Sequence, residues 1–284
     1  MDKQELFELR KFATQARIMT VNAIAKAHSG HPGGSLSCLD VLTYLYNKEM
    51  RIDPKNPKDP DRDRLVLSKG HAAPALYSVL ALKGYFPAEL LDGLRQPDSI
   101  LQGHPDMKHI PGVDMSTGSL GQGVSAACGM ALAGKLDKKD YRVYTILGDG
   151  EIEEGQAWEA MMFAAHKNLS NLCIMVDYNG LQIDGPITEV MSALPIADKM
   201  RAFNLNVIEI DGNDYEQIET ALDAARACTD KPTGIVLHTV KGKGVSYMEN
   251  VCSWHGTPPN EEQAAEAVKE LNETLRKLEE EYNG

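Results

Sequence analysis

Short apolar runs rich in β-branched residues, each separated from the next by longer stretches with helical spacing, constrain this chain more than any other feature of its 284 residues. Leu65-Val66-Leu67, Val143 to Leu147, Leu172 to Val176, Val207 to Ile210 and Ile235 to Leu237 read as short buried strands. Helical patterns occupy roughly 11 to 28, 38 to 49, 72 to 83, 121 to 135, 155 to 167, 193 to 202 and 214 to 227. That alternation predicts an α/β fold, a doubly wound, mostly parallel sheet with helices on both faces. Asp53 to Asp63, with three prolines and many charges, reads as a surface loop, and nothing marks a boundary or a repeat. Residues 1–284 are therefore expected to form one domain. At its end, Val268, Leu271, Leu275 and Leu278 give a helix at about 261–282, docked by a narrow apolar stripe; contact with another chain is the alternative.

A net charge of -12 argues against nucleic acid or an anionic membrane surface as partner, since such binders cluster Lys and Arg to displace counterions. Met1 to Thr20 is charged throughout, with Leu6, Leu9, Ala13 and Ala16 on one helical face, so it lacks the apolar core of a signal peptide. No run approaches a membrane span. The five cysteines, Cys38, Cys128, Cys173, Cys228 and Cys252, contain no Cys-x-x-Cys pair and read as reduced thiols of a cytoplasmic protein.

Two strand ends carry the chemistry. Tyr141 to Gly150 reads as a buried strand closing in Gly148-Asp149-Gly150, and a carboxylate there points into the crevice where parallel sheets bind ligands. Thirty residues later the next strand delivers Asn179-Gly180-Leu181. Magnesium wants oxygen ligands, few of them from protein and the rest from phosphate and water. Asp149, the Asn179 side-chain oxygen and the Leu181 carbonyl suit it. Two unrelated turns are the bland alternative, but the pairing at this separation outweighs it. No Gly-x-x-x-x-Gly-Lys-Ser/Thr occurs, which excludes a Walker-type site. Gly118-Ser119-Leu120-Gly121-Gln122-Gly123 reads equally as close helix packing or as a cofactor contact. Glu151 and Glu153 sit at a helix start, where the dipole favours acids.

These residues resemble the signature of the thiamine-diphosphate enzymes, Gly-Asp-Gly followed after about thirty residues by Asn, and more closely the transketolase family. The resemblance covers essentially the whole chain. Its landmarks stand in family order: Ser29 to Gly34, Leu67 to His71, Gly103-His104-Pro105, Thr117 to Gly123, Gly148 to Gly155, Asn179-Gly180 and Trp254-His255-Gly256. It implies thiamine diphosphate and Mg2+ as cofactors, with Asp149, Asn179 and Leu181 on the metal and a Gly150 backbone contact to the diphosphate. It further implies that His71 and His255 contact the diphosphate and that His31 and His104 contact the sugar. Gly118, Ser119 and Leu120 would lie by the aminopyrimidine, and Glu154 matches a glutamate linked to a dimer contact. Four histidines at motif positions also make chemical sense on their own, because neutral imidazoles donate and accept hydrogen bonds to sugar hydroxyls. His28, His109, His166 and His238 match no motif and read as structural.

Lys69 and Ser119 depart from the residues more usual in the family, and Gly33 to Cys38 differs from its common form after His31. The chain also stops after its acidic helix, where the family continues into a pyrimidine-binding domain carrying the glutamate that protonates the cofactor's pyrimidine. The resemblance thus implies the N-terminal subunit of a split transketolase, with a C-terminal subunit supplying the rest and two copies of each chain. Its reaction would be reversible transfer of a two-carbon glycolaldehyde unit from a ketose phosphate to an aldose phosphate, with pentose-phosphate sugars as the default and sulfonated sugars an alternative. A deoxyxylulose-phosphate-synthase-like subunit, or a non-catalytic cofactor-binding regulatory partner, are the competing readings.

Overall fold

The computed structural model describes residues 1–284. The five apolar runs become the strands of one all-parallel sheet: β1 (Arg64–Leu67), β2 (Val143–Gly148), β3 (Leu172–Tyr178), β6 (Asn206–Asp211) and β7 (Thr233–His238), in the order β1-β2-β3-β7-β6. A two-stranded ribbon, β4 (Leu181–Gln182) and β5 (Gly185–Pro186), follows β3. Parallel neighbours need crossover connections. The ten helices that accompany the strands are α1 (Lys3–Ala27), α2 (Pro32–Ser37), α3 (Leu39–Tyr44), α4 (Ala73–Leu82), α5 (Gln122–Leu136), α6 (Gly155–His166), α7 (Ile187–Val190), α8 (Ile196–Ala202), α9 (Tyr215–Ala227) and α10 (Glu261–Asn283).

Alternate strand residues face opposite ways and build two cores. Leu65, Leu67, Tyr144, Ile146, Cys173 and Met175 pack with α1, α3, α4, α9 and α10. Val66, Val143, Leu147, Leu172, Ile174 and Val176 pack with α5, α6 and α8 on the other face. The doubly wound expectation is met. No helix is long and apolar enough to cross a membrane.

Two sequence boundaries and one burial expectation shift for identifiable reasons. α1 starts at Lys3, well before residue 11, because Asp2 and Glu5 form a reciprocal capping box over its first turn. The helix placed at 38–49 begins at Pro32, whose fixed φ suits a first helical turn; it breaks at Cys38 and ends in a π-turn over Leu45–Glu49. β6 is less buried than read from its apolar run, since it is the sheet's edge and pairs only with β7. At the far end α10 opens with a second capping box, Asn260 with Gln263, and lies against α1 through Ala264, Ala267 and Leu271. Phe7 stacks on Tyr282 at 4.3 Å.

Strand register positions the site. Leu67 pairs with Ile146, Gly148 with Asp177, and Tyr178 with His238. The carboxyl ends of four adjacent strands are therefore nearly level, and the residues that follow them emerge along one edge: Ser68-Lys69, Asp149, Asn179 and Thr239 to Lys241.

Behind that edge Asp40 on α3 is a buried junction. It accepts from the Arg17 guanidinium of α1 at 2.7 Å, from Asn213 at 2.8 Å and from the Tyr215 hydroxyl of α9 at 3.0 Å. Removing one partner of a buried ion pair strands the other charge. Asp40→Ala is expected to lower unfolding stability by about 3–5 kcal/mol in urea denaturation; a loss below about 1 kcal/mol would show that the junction is not holding α1, α3 and α9 together.

Candidate functional site

The emerging residues surround a cleft of about 320 Å³ whose lining includes His31, His71, Asp149, Asn179, Leu181 and His255. Its floor is the Gly148-Asp149-Gly150 turn. Asp149 is almost wholly buried, and its two oxygens accept the backbone N–H of Gly150 at 2.9 Å and of Gly180 at 2.6 Å. The second bond is a direct strap between the ends of β2 and β3. Burial, reinforced by the nearby Asp177 carboxylate, raises the Asp149 pKa to about 6 despite those two donors. Beside it the Asn179 Oδ1 accepts the Leu181 N–H at 3.2 Å. The Gly150 N–H, the backbone contact implied for a diphosphate, is thus already directed at Asp149.

Asp149, Asn179 and the Leu181 carbonyl offer one carboxylate, one amide oxygen and one backbone oxygen, with no sulfur or nitrogen ligand among them. That donor set fits a hard divalent cation completing its shell with phosphate and water, and does not resemble a zinc site. Lone pairs remain on all three oxygens, although the Lys241 ammonium already donates to the Leu181 carbonyl at 2.7 Å.

Three of the four motif histidines come together. His31 lies 5.2 Å from His71 and 5.6 Å from His255, and His71 lies 5.4 Å from His255, between ring centroids. They reach this point from the turn before α2, from the turn after β1, and from the loop before α10. Burial and neighbouring cations pull their pKa values down, to about 4 for His31 and about 3 for His255, and well below the usual value for His71. All three are neutral at neutral pH. His104 stands outside the lining, its ring against Gly118, where a Cβ would come within 3.0 Å of the imidazole and where φ is +143°. Glycine is needed at 118 on both counts.

The Gly118 to Gly123 segment both packs closely and reaches the cleft. Gly118 and Leu120 line the cleft, while a Cβ on Gly123 would stand 2.7 Å from the Ser68 Cα, so α5 packs closely on the end of β1. Ser119 is exposed and outside the cleft. Glu154 is exposed too; it precedes α6, lies against Gly121 and is not part of the cleft lining.

Glu151 departs from its expected role. It is not a solvated acid favoured by a helix dipole: it is 2 % exposed, accepts the Gly121 and Gly148 N–H groups at 3.0 Å each, and takes the Ser68 hydroxyl. One carboxylate therefore fixes the end of β1, the Gly148-Asp149-Gly150 turn and the loop beside it. Two lysines were also missed as site residues. Lys69 and Lys241 both line the cleft at 1 % exposure, and Lys69 forms an ion pair with the fully buried Asp177. The adjacency of Lys69 to His71 was the available signal for the first; nothing local to Lys241 reveals it.

With this geometry in view, the comparisons with known proteins agree. The family described as transketolase, thiamine diphosphate binding domain, matches residues 9–275. The chain is 49% identical over 271 residues to a 6-deoxy-6-sulfo-D-fructose transketolase subunit of Clostridium sp. (strain MSTE9), covering 95% of this chain and 98% of that one. It is 44% identical over 280 residues to an apulose-4-phosphate transketolase subunit of Phocaeicola vulgatus, covering 99% of each. Human transketolase is 41% identical over 272 residues, but there the chain spans only 43% of its relative. The crystal structure of transketolase from Campylobacter jejuni superposes with a TM-score of 0.88 at 35% identity, over 93% of this chain and 42% of that one.

The raised Asp149 pKa has a direction that can be tested. Ionised Asp149 weighs against the apo fold, a cost absent below the usual carboxylate range and complete once pH rises above about 6; a bound cation relieves it. In calorimetric titration of Mg2+ with inorganic diphosphate, the ratio of wild-type to Asp149→Asn affinity, which cancels the titration of the diphosphate itself, is expected to be flat above about pH 6 and to fall by up to roughly tenfold per pH unit below it. A ratio that stays constant a full unit lower would show that Asp149 does not ligate the ion.

Proposed function

Because this chain belongs to the transketolase family and carries its thiamine-diphosphate-binding domain, we propose that it is the diphosphate-binding half of a two-chain transketolase. The reaction is reversible transfer of a two-carbon glycolaldehyde unit from a ketose phosphate to an aldose phosphate, dependent on thiamine diphosphate and Mg2+. A partner chain carries the pyrimidine-binding domain, with two copies of each chain in the assembly. The observation that carries this reading is the convergence of Asp149, Asn179 and Leu181 with three neutral imidazoles on one cleft. The two relatives named as subunits support it, since they match this chain over nearly their whole lengths.

Thiamine diphosphate supplies the chemistry at the reacting carbon when bound. The chain's part is to hold and orient it. Asp149, Asn179 and the Leu181 carbonyl would hold the metal, which would serve as an anchor for the diphosphate and not as a Lewis acid at the reaction centre. His71 and His255, neutral in the cleft, donate to diphosphate oxygens, while His31 in the cleft and His104, exposed against the cleft-lining Gly118, meet the hydroxyls of the sugar. The names of these two relatives carry a sulfonated and a phosphorylated sugar. A sugar with an anionic group distant from its reacting carbon is the class that fits both. Five cysteines, none of them in a disulfide, are consistent with a reducing compartment such as the cytoplasm.

The purified chain alone is expected to show little or no ketol transfer, and addition of a chain carrying the pyrimidine-binding domain should restore it; full turnover by the lone chain would sink the two-chain reading. In the assembled complex, Asp149→Ala should weaken Mg2+-dependent thiamine diphosphate binding by at least roughly tenfold, about 1.4 kcal/mol. Unchanged affinity in a titration would remove Asp149 from the metal.

A further inference from the structure

Lys241 lies on the cleft in a position where an ammonium is rare. It leaves the loop after β7 and is 1 % exposed. Its stem is confined on one side by the backbone at Gly33, where a Cβ would come 3.0 Å from the lysine Cγ and 3.1 Å from its Cε. Nζ has two neighbours, the Leu181 carbonyl oxygen at 2.7 Å and the Nδ1 of His255 at 2.9 Å.

The direction of those two bonds follows from the groups themselves. An ammonium has three donors and no acceptor, and a carbonyl oxygen has no proton to give. Both bonds therefore run outward from Nζ, and Nδ1 of His255 must offer its lone pair. A neutral imidazole carries one proton, so it resides on the other nitrogen, Nε2. Burial of the ring, together with the positive charges of Lys241 and Lys69, opposes a second proton. We infer that Lys241 is a positioning residue that fixes His255 as its neutral Nε2–H tautomer, so that this ring offers the cleft a hydrogen-bond donor and no lone pair.

Two consequences follow for the division of labour. Nε2 of His255 meets no acceptor within the fold, so its proton is available to an anionic oxygen that enters the cleft. The same ring is in the wrong tautomer to take a proton from a substrate hydroxyl, and that work falls to another histidine. His31 differs in this respect, because its Nδ1 is buried without any partner and no protein group fixes its tautomer. The tautomer of His255 rests on the contacts of the unliganded chain alone; only the identity of the incoming anion rests on the function proposed above.

The test is a two-bond 1H–15N correlation spectrum of the full chain labelled at histidine, without ligand and at neutral pH, with His255 assigned by loss of its signals in His255→Gln. The wild-type ring is expected to show the Nε2–H pattern. Lys241→Met should shift it to a mixture of tautomers or to Nδ1–H, and Lys241→Arg, whose guanidinium also only donates, should retain the wild-type pattern. An Nδ1–H pattern in the wild type, which a neutral amine at Lys241 would permit, overturns the inference, as does an unchanged Nε2–H pattern in folded Lys241→Met. Should Lys241→Met fail to fold, the wild-type and Lys241→Arg spectra decide. No cofactor is added, so failure of this inference and failure of the diphosphate reading are separate results.

Discussion

The cleft depends on one buried ion pair. Asp177 at the end of β3 is fully buried, and its carboxylate takes the Lys69 ammonium, the Ser37 hydroxyl at 2.6 Å and the Thr239 hydroxyl. Lys69 adds a bond to the Gly34 carbonyl at 2.8 Å. Burial alone would raise the Asp177 pKa, but the Lys69 charge and these hydroxyl donors bring it below the usual value. The pair thereby joins the segments after β1, β3 and β7 with α2, and each of these contributes to the cleft. Such a pair gives little net stability over an apolar substitute, yet losing one partner costs about 3–5 kcal/mol, so its main consequence is to fix which segments meet.

Against that fixed pair, Asp149 is the contrasting carboxylate. It lies near Asp177 in an equally dry place, but its direct partners are backbone N–H groups and no cation touches it. The Lys241 charge reaches it, but not by contact, so burial moves its pKa upward while that of Asp177 moves downward. The difference separates two roles that the sequence cannot separate. Both aspartates end strands beside glycine or asparagine, but one is already neutralised by the fold and the other is left able to accept a cation from solution.

How far the sequence reveals this follows from what sets each feature. The central strands are legible because strands buried on both faces must be continuously apolar, as Leu172 to Val176 is. Asp149 and Asn179 are legible because neighbouring parallel strands bring their following residues together at a separation fixed by one crossover helix, here α6. Glu151, Lys69 and Lys241 are not, because a buried charge is decided by partners distant along the chain: Glu151 by Ser68 and Gly121, Lys69 by Asp177, and Lys241 by Leu181 and His255. A charged residue in a loop reads as solvated unless those partners are known. The same limit explains why His31, His71 and His255 could be grouped by motif but not arranged in space, and why the sequence does not show that His104, matched equally well, stands exposed against Gly118 outside the cleft lining.

The chain as a whole carries a net charge of -12, while the ligands proposed for it are anions. At physiological ionic strength the field of exposed charges fades over about 8 Å, whereas groups inside a dry cleft are screened far less. What an anion meets on entry is therefore the local balance: Lys69 cancelled by Asp177, Lys241 set against Asp149, the Glu151 carboxyl group held by two N–H groups and a hydroxyl, and three imidazoles held neutral. That balance is close to zero and has no charge to spare for a diphosphate. The divalent cation proposed on Asp149 and Asn179 would supply the missing positive charge. The neutral histidines can then hold phosphate or sugar oxygens by hydrogen bonds, without a fixed cationic cluster that would bind any passing anion. On this reading the metal requirement is a consequence of how completely the fold has already paired its own charges.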